Sequence, residues 1–363
     1  HLTKHDLLNN QQFGFQKNKS CARQLIDCIN KWTKSLDSKK TVDIVYIDFQ
    51  KAFDSVVHSK LLKKLENYSF SRPMLNWIEN FLLNRTQRIK INNVTSSTSI
   101  VRSGVPQGSV LGPTLFLLYI NDLVDVIQFS DIRLFADDLK IFNTSENHEY
   151  LQTDLNNLDL WANTWQLPIA FTKCTVLYLG KSNPMKNYKL GDFELESAKN
   201  GCKDLGVFNN NNLSFSFHCN NIVSKSCKIS ALIHRTFISK NAELMVKAFK
   251  AYVRPILEYS STVWNPHLLK DINSVENVQR RFTKRLAPKD LSYDQRLAYL
   301  NLDRLELRRI RFDAILCFNI IRNNLLSCDN FFTISSGITR SCLNANLYPS
   351  KFRLDSGKFS FSN

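Results

Sequence analysis

The run Val42-Asp43-Ile44-Val45-Tyr46-Ile47 ends on a carboxylate, Asp48, and a second acidic pair, Asp137-Asp138, separates two short apolar runs at 132–135 and 139–142. Runs this rich in β-branched and aromatic residues read as strands, and two of them split by a two-residue polar break read as a hairpin. Two short elements thus bring three carboxylates together. Mg²⁺ takes hard oxygen ligands and leaves its other sites to water and substrate phosphates. Two such ions about 3.5–4 Å apart lower the pKa of an attacking hydroxyl and neutralise a transferred phosphoryl group. Taken singly, an Asp-Asp pair at a hairpin tip also suits turn geometry, and an Asp ending a strand also caps a helix.

The remaining pattern surrounds these strands with helices. Leu25, Ile26, Ile29 and Trp32 share one face of a helix expected at 22–36; Leu61, Leu62 and Leu65 do so at 58–67; Leu75, Ile78, Phe81 and Leu82 do so in a helix begun by Pro73. Strands are expected at 87–92 and 98–102 around a polar turn at 93–96, then a glycine-rich loop, a helix at 114–127, the hairpin, a helix at 151–165 and a strand at 175–179. This order fits a split βαβ sheet. Past Phe215 the pattern changes to long helices with basic faces, clearest at 221–240, 243–259, 274–286 and 302–322.

Three motifs then occur in order: Tyr46-Ile47-Asp48, Gly104-Val105-Pro106-Gln107-Gly108-Ser109 and Phe135-Ala136-Asp137-Asp138. Together they resemble the reverse transcriptases of non-LTR retrotransposons, in particular the jockey-like and CR1-like group, and the resemblance runs from about Gln11 to the last residues. It implies an α+β right-hand polymerase: an entry remnant at 1–40, a palm at 41–215, an all-helical thumb at 216–330 and a truncated tail at 331–363, with the fingers largely missing. A start on His1 and the missing upstream segments suggest a piece of a longer product.

By that resemblance Asp48 and Asp137 bridge two Mg²⁺ ions, with Mn²⁺ as a substitute, and Asp138 sits beside them as the third carboxylate of the metal site. Lys173, after Trp165-Gln166-Leu167-Pro168, lies near the triphosphate. Phe49, Phe53, Gln107 and Gly108 contact the nucleotide, and the ring of Phe53 excludes a 2′-hydroxyl by clash. Gly104 and Pro106 help to position the template, Gly104 and Gly108 letting backbone approach a nucleotide closely. Leu205 and Gly206 match a primer grip. Arg280, Arg281, Lys284 and Arg285 cover one helix face that could follow duplex phosphates, with Arg304, Arg308, Arg309 and Arg311 nearby.

Charge supports polyanionic partners. There are 48 Lys+Arg against 32 Asp+Glu, a net charge of +16, which together with many aromatics points to nucleic acid rather than a membrane surface. The implied partners are an RNA template, a DNA primer and deoxynucleoside triphosphates. The alternative is an inactive remnant that only binds nucleic acid. Nine cysteines without a Cys-x-x-Cys pair read as reduced thiols of an intracellular protein, and His218-Cys219 with Cys227 lacks a four-ligand zinc spacing. The longest apolar stretch, 110–120, is broken by Gly112-Pro113 and is too short for a bilayer. The resemblance places such a protein in a cytoplasmic ribonucleoprotein and, at integration, in the nucleus.

Overall fold

The computed structural model describes every residue except 1, 3, 6, 145–146, 240, 324–325, 327, 336–345, 349–350 and 363. Its fold is mixed α+β, in two compact units: residues 1–20 with 40–199, and residues 21–39 with 200–363. The first helix, α1 (Cys21–Asp37), groups with the later part of the chain.

The first unit is built on β1 (Val42–Ile47), whose burial is almost continuous. It is followed by α2 (His58–Asn67) and α3 (Arg72–Leu82). Next comes an exposed arm of four two-residue strands: β2 (Thr86–Gln87), β3 (Lys90–Ile91), β4 (Val94–Thr95) and β5 (Ser99–Ile100). The expected turn at 93–96 is corrected to Asn92-Asn93, with Asn92 at φ +51°, a left-handed conformation that asparagine adopts more readily than most residues. Ser96 marks one break, since its hydroxyl, not a strand carbonyl, accepts from the Ile89 N–H (2.9 Å), and the Thr98 hydroxyl accepts from Arg88 Nε (2.7 Å).

The helix expected at 114–127 is α4 (Leu111–Ile120), which passes into a 3₁₀ stretch, Asn121–Val126. It starts earlier than expected because Pro113 falls in its first turn, where N–H groups lack partners anyway. The hairpin β6 (Asp131–Phe135) and β7 (Asp138–Asn143), helix α5 (Glu149–Trp165), β8 (Thr175–Leu179) and the short strands β9 (Lys189–Leu190), β10 (Phe193–Glu194) and β11 (Glu196–Ser197) complete the unit. The sheet order is β11-β8-β1-β7-β6, antiparallel except for β11 on β8. One hydrophobic cluster, including Val45, Leu61, Phe116, Trp161 and Val176, fills the space between sheet and helices.

The second unit holds the hairpin β12 (Cys202–Asp204) and β13 (Val207–Asn209), then α6 (Ser216–Thr236). The single helix expected at 243–259 divides into α7 (Ala242–Ala248), a π-helical stretch Phe249–Val253 and α8 (Arg254–Glu258). Pro255 has no N–H to return to residue 251, and a wider turn absorbs the lost bond. Beyond them lie α9 (Ser261–Trp264), α10 (Leu269–Thr283), α11 (Tyr293–Tyr299), begun by a Ser292/Gln295 capping box, and α12 (Leu305–Asn323). Among the described residues the cysteines are free thiols, and no helix is long and apolar enough to cross a membrane.

One polar group is embedded in the first unit's core. Lys64, 4% exposed, turns from α2 to place its ammonium 3.6 Å from the Trp165 ring centroid, beside Asp122 and the Tyr119 carbonyl. Burial lowers its pKa from 10.5 to about 8, against the pull of Asp122. Between these two values the unfolded chain keeps a proton that the folded chain has released, so folded stability rises with pH. Wild type should therefore gain stability relative to Lys64→Met as pH increases from about 8 to 10.5; urea unfolding of both proteins across that range checks it, and parallel pH courses would contradict it.

Candidate active site

Asp48 follows directly on the central strand. β1 pairs with β7 from Asp43↔Asn143 to Ile47↔Leu139 and with β8 from Val42↔Leu179 to Tyr46↔Thr175. Beyond β1 the backbone stays fastened. The Ala170 N–H donates to the Asp48 carbonyl (2.8 Å), Phe49 bridges Ile169, and the Gln50 N–H donates to the Pro168 carbonyl (2.7 Å). The Asp48 carboxylate is 41% exposed and lies 3.2 Å from Lys173 Nζ, which is supplied by a 3₁₀ turn, Phe171–Lys173.

Asp137 arrives from the neighbouring hairpin. Phe135 pairs with Asp138, leaving Ala136 and Asp137 as a two-residue loop. Ala136 has φ +55° and Asp137 does not share the left-handed region, the φ pattern of a turn that prefers glycine at its first central position. The buried side chain of Gln12 holds Ala136, a contact that motif reading did not find. Partial burial raises the Asp137 carboxyl above the usual range; its own backbone N–H opposes this and the nearby negative charge of Asp48 adds to it. Two mutually repelling carboxylates, one partly desolvated, form an oxygen donor set that fits a divalent cation, and Mg²⁺ needs only one or two of them when water and phosphates fill its shell. Among the described residues no three His, Cys, Asp or Glu side chains assemble as a metal-holding group. Asp138, expected as a third ligand, opens β7 and is exposed.

The glycine-rich loop docks on the segment after Asp48. Gly104, at φ +87°, donates to the Val56 carbonyl (2.8 Å), and a Cβ there would come within 2.7 Å of Asp54 Cα. The Val105 N–H donates to the Phe53 carbonyl (2.9 Å), the Ser103 hydroxyl to the Asp54 carbonyl (2.8 Å), and the Gln107 amide to the Asp54 carboxylate (2.8 Å). Asp54 is thus the second residue that motif reading passed over; its signal was a carboxylate six positions after Asp48. Pro106 accepts from the Ser109 hydroxyl (2.7 Å), and Gly108, at φ +83°, has open space around it. Phe53 is partly buried, stacked on Phe116 at 4.2 Å between centroids and edge-on to the exposed Phe15 at 6.2 Å. Phe49, expected to contact the nucleotide, has its ring 4% exposed within the core cluster.

In the second unit, Leu205 (φ +43°) and Gly206 (φ +90°) form the two-residue turn between β12 and β13. The Tyr259 hydroxyl donates to the Leu205 carbonyl (2.9 Å), and a Cβ on Gly206 would meet the Tyr259 ring at 2.9 Å. Of the four expected basic residues, Arg281, Lys284 and Arg285 are exposed, while Arg280 is half-buried over the Tyr293 ring and bonded to Asn277. The neighbouring arginines do not form an open basic face: Arg304 pairs with Asp294, Arg308 with Glu258 and Arg311 with Asp303, and Arg309 is buried at 1% exposure against Asn265. Helical phase turns Arg309 inward, and acidic residues off the same helix face, Asp294, Glu258 and Asp303, pair with the others.

Residues 1–229 match the family model described as reverse transcriptase (RNA-dependent DNA polymerase). Over 293 residues the chain is 27% identical to the RNA-directed DNA polymerase from mobile element jockey of Drosophila melanogaster, which covers 76% of this chain and 32% of that protein. Over 304 residues it is 26% identical to the "Probable RNA-directed DNA polymerase from transposon BS" of the same species, covering 77% and 33%. The chain therefore spans about a third of the length of these curated relatives. Among solved structures, apo telomerase from Candida tropicalis aligns with 87% of this chain and 51% of that one, at 11% identity and a TM-score of 0.46.

The coupling of the two carboxylates is measurable without any substrate. Removing the Asp48 charge should ease ionisation of Asp137, so Asp48→Asn should lower the Asp137 pKa. Carboxyl-carbon NMR titration of the two proteins checks it; an unmoved Asp137 titration would mean that the side chains do not sense each other.

Proposed function

Because the chain belongs to the reverse transcriptase (RNA-dependent DNA polymerase) family and is related to the non-LTR enzymes of jockey and BS, we propose that it extends a DNA primer along an RNA template. Deoxynucleotides would be added to the primer 3′-hydroxyl with release of pyrophosphate. The observation that carries this reading is the approach of Asp48 and Asp137 at the end of the central strand. Asp48 and Asp137 would hold Mg²⁺, or Mn²⁺ in its place, and a pair of such ions supplies charge neutralisation at the attacking hydroxyl and the phosphates.

The chain's own groups supply binding and selection. Lys173, 65% exposed and resting on Asp48, is free to follow the triphosphate and to donate a proton to departing pyrophosphate. Phe53 is braced from behind by Phe116, so its ring cannot easily yield to a 2′-hydroxyl, and the site favours deoxyribose. Gly104, Pro106, Gln107 and Gly108 form a loop stiffened by Asp54, which would seat the templating base and nucleotide. Residues 41–215 would act as palm and 216–330 as helical thumb. The Leu205-Gly206 turn would hold the primer end, and Arg281, Lys284 and Arg285 would meet phosphates. Such an enzyme would travel with its RNA through the cytoplasm and copy it in the nucleus at a nicked chromosomal end.

RNA-templated primer extension with Mg²⁺ is the direct test. Asp48→Ala and Asp137→Ala should each lower the rate by about a thousandfold, the equivalent of several kcal/mol of lost charge stabilisation, with template-primer binding retained. Binding without extension in the unsubstituted chain would leave a nucleic-acid-binding protein instead. Phe53→Val should raise ribonucleotide incorporation while deoxynucleotide extension continues; unchanged sugar preference would return Phe53 to a packing role.

A further inference from the structure

We propose that Gln12 is a positioning residue for Asp137, fixing the direction of its carboxylate by clamping the preceding residue from both sides. The inference rests on Asp48 and Asp137 being the cation ligands of the proposed reaction.

The clamp is a built feature. Gln12 is 4% exposed. Its Oε1 accepts from the Ala136 N–H (2.8 Å) and the Gly14 N–H (2.7 Å), and its Nε2 donates to the Ala136 carbonyl (3.2 Å). Both polar backbone groups of the residue before Asp137 are therefore engaged by one side chain. An amide is suited to this because it donates and accepts at once. The segment is itself anchored along β6: the Phe13 N–H donates to the Leu134 carbonyl (2.7 Å), and the Leu134 N–H donates to the Gln11 carbonyl (3.0 Å). Gly14 permits the approach, since a Cβ there would lie 2.3 Å from the Ala136 nitrogen.

What needs holding is also visible. Ala136 sits at φ +55°, a conformation that glycine adopts freely and residues with a Cβ rarely do. Left alone, that peptide would relax and swing Asp137 with it. Two hydrogen bonds from a buried side chain to the Ala136 backbone prevent this, and the third, from the Gly14 N–H, fixes the amide that makes them. The same segment carries Phe15, whose ring meets Phe53 edge-on, so one short stretch braces both the acidic turn and the aromatic assigned to sugar selection.

Mn²⁺ alone is the probe, its free concentration read by electron paramagnetic resonance during titration of the chain. Gln12→Met, close in size but unable to make the three bonds, should weaken Mn²⁺ binding about tenfold, the lower end of what loss of an outer-shell partner costs. Primer extension should lose kcat with KM for template-primer unchanged. In an Ala136→Gly background the turn no longer opposes its own φ, so the Gln12→Met loss should shrink, a non-additivity expected only if both act on the same turn. Gln12→Asn, whose amide is one methylene too short to span the clamp, supplies a folded comparison should Gln12→Met fail to fold, and should show the same loss. A folded Gln12 variant with wild-type Mn²⁺ affinity and kcat would overturn the proposal, leaving Gln12 as cover for the sheet edge. Failure of Asp137→Asn to weaken Mn²⁺ binding would instead overturn the carboxylate reading itself and this inference with it.

Discussion

The candidate site depends on one backbone register, Ile47 opposite Leu139 in the pairing of β1 with β7. That register brings the end of β1 level with the turn that carries Asp137, although the two carboxylates belong to distant parts of the chain. Side chains alternate along a strand, so a slip of one residue would exchange the two buried faces of β1 and take Val45 and Ile47 out of the cluster they fill. The buried neighbours Val45, Ile47, Leu139 and Ile141 therefore specify the geometry of the acidic groups as firmly as the acidic groups' own contacts do. β8 secures the other flank, and the Asp48 and Gln50 backbone bonds to 168–170 carry that restraint past the strand end.

Around this frame, restraint is concentrated on short turns. Gly104 can accept its place against Asp54 only because it lacks a Cβ, Gly206 accepts its place against Tyr259 for the same reason, and Ala136 is held where glycine would be at ease. Each turn presents a polar or acidic neighbour: Gln107, Asp204 and Asp137. The charge surplus is distributed differently. Several arginines of the second unit are consumed by Asp294, Glu258 and Asp303, so the net charge of +16 overstates how much of that helical region is open to a polyanion.

Much of the element pattern was legible from periodicity. α2 and β8 occur at the expected residues, and α1 and α5 differ from expectation by one or two residues at an end, because their apolar positions repeat without interruption. The arm at 86–100 departs from expectation where the Ser96 hydroxyl takes a backbone N–H, and the helix at 243–259 where a proline accompanies a π-helical turn. At the site, Asp48 and Asp137 stood out because carboxylates interrupt apolar runs. Gln12 and Asp54 were invisible as functional residues because their meaning lies in partners far along the chain or in backbone atoms. Lys64 carried no hint of burial, since a lysine among leucines on a helix ordinarily extends to water.

The exposed arm has a consequence for the chain's continuity. Ile89, Ile91, Val94 and Ile100 are between 66% and 75% exposed, and β2–β5 and β3–β4 pair only with each other. An isolated two-stranded ribbon is marginal in water, so its order is borrowed from its base, where the Arg85 guanidinium donates to the Gly104 carbonyl and the Arg85 carbonyl accepts from the Val101 N–H. A protease would find its easiest substrate at the tip. The two resulting fragments would not part, because β1 lies before the cut and β6, β7 and β8 after it, and the sheet that joins them does not pass through the arm. Cutting the arm would thus leave Asp48 and Asp137 on separate pieces of chain that one sheet still spans.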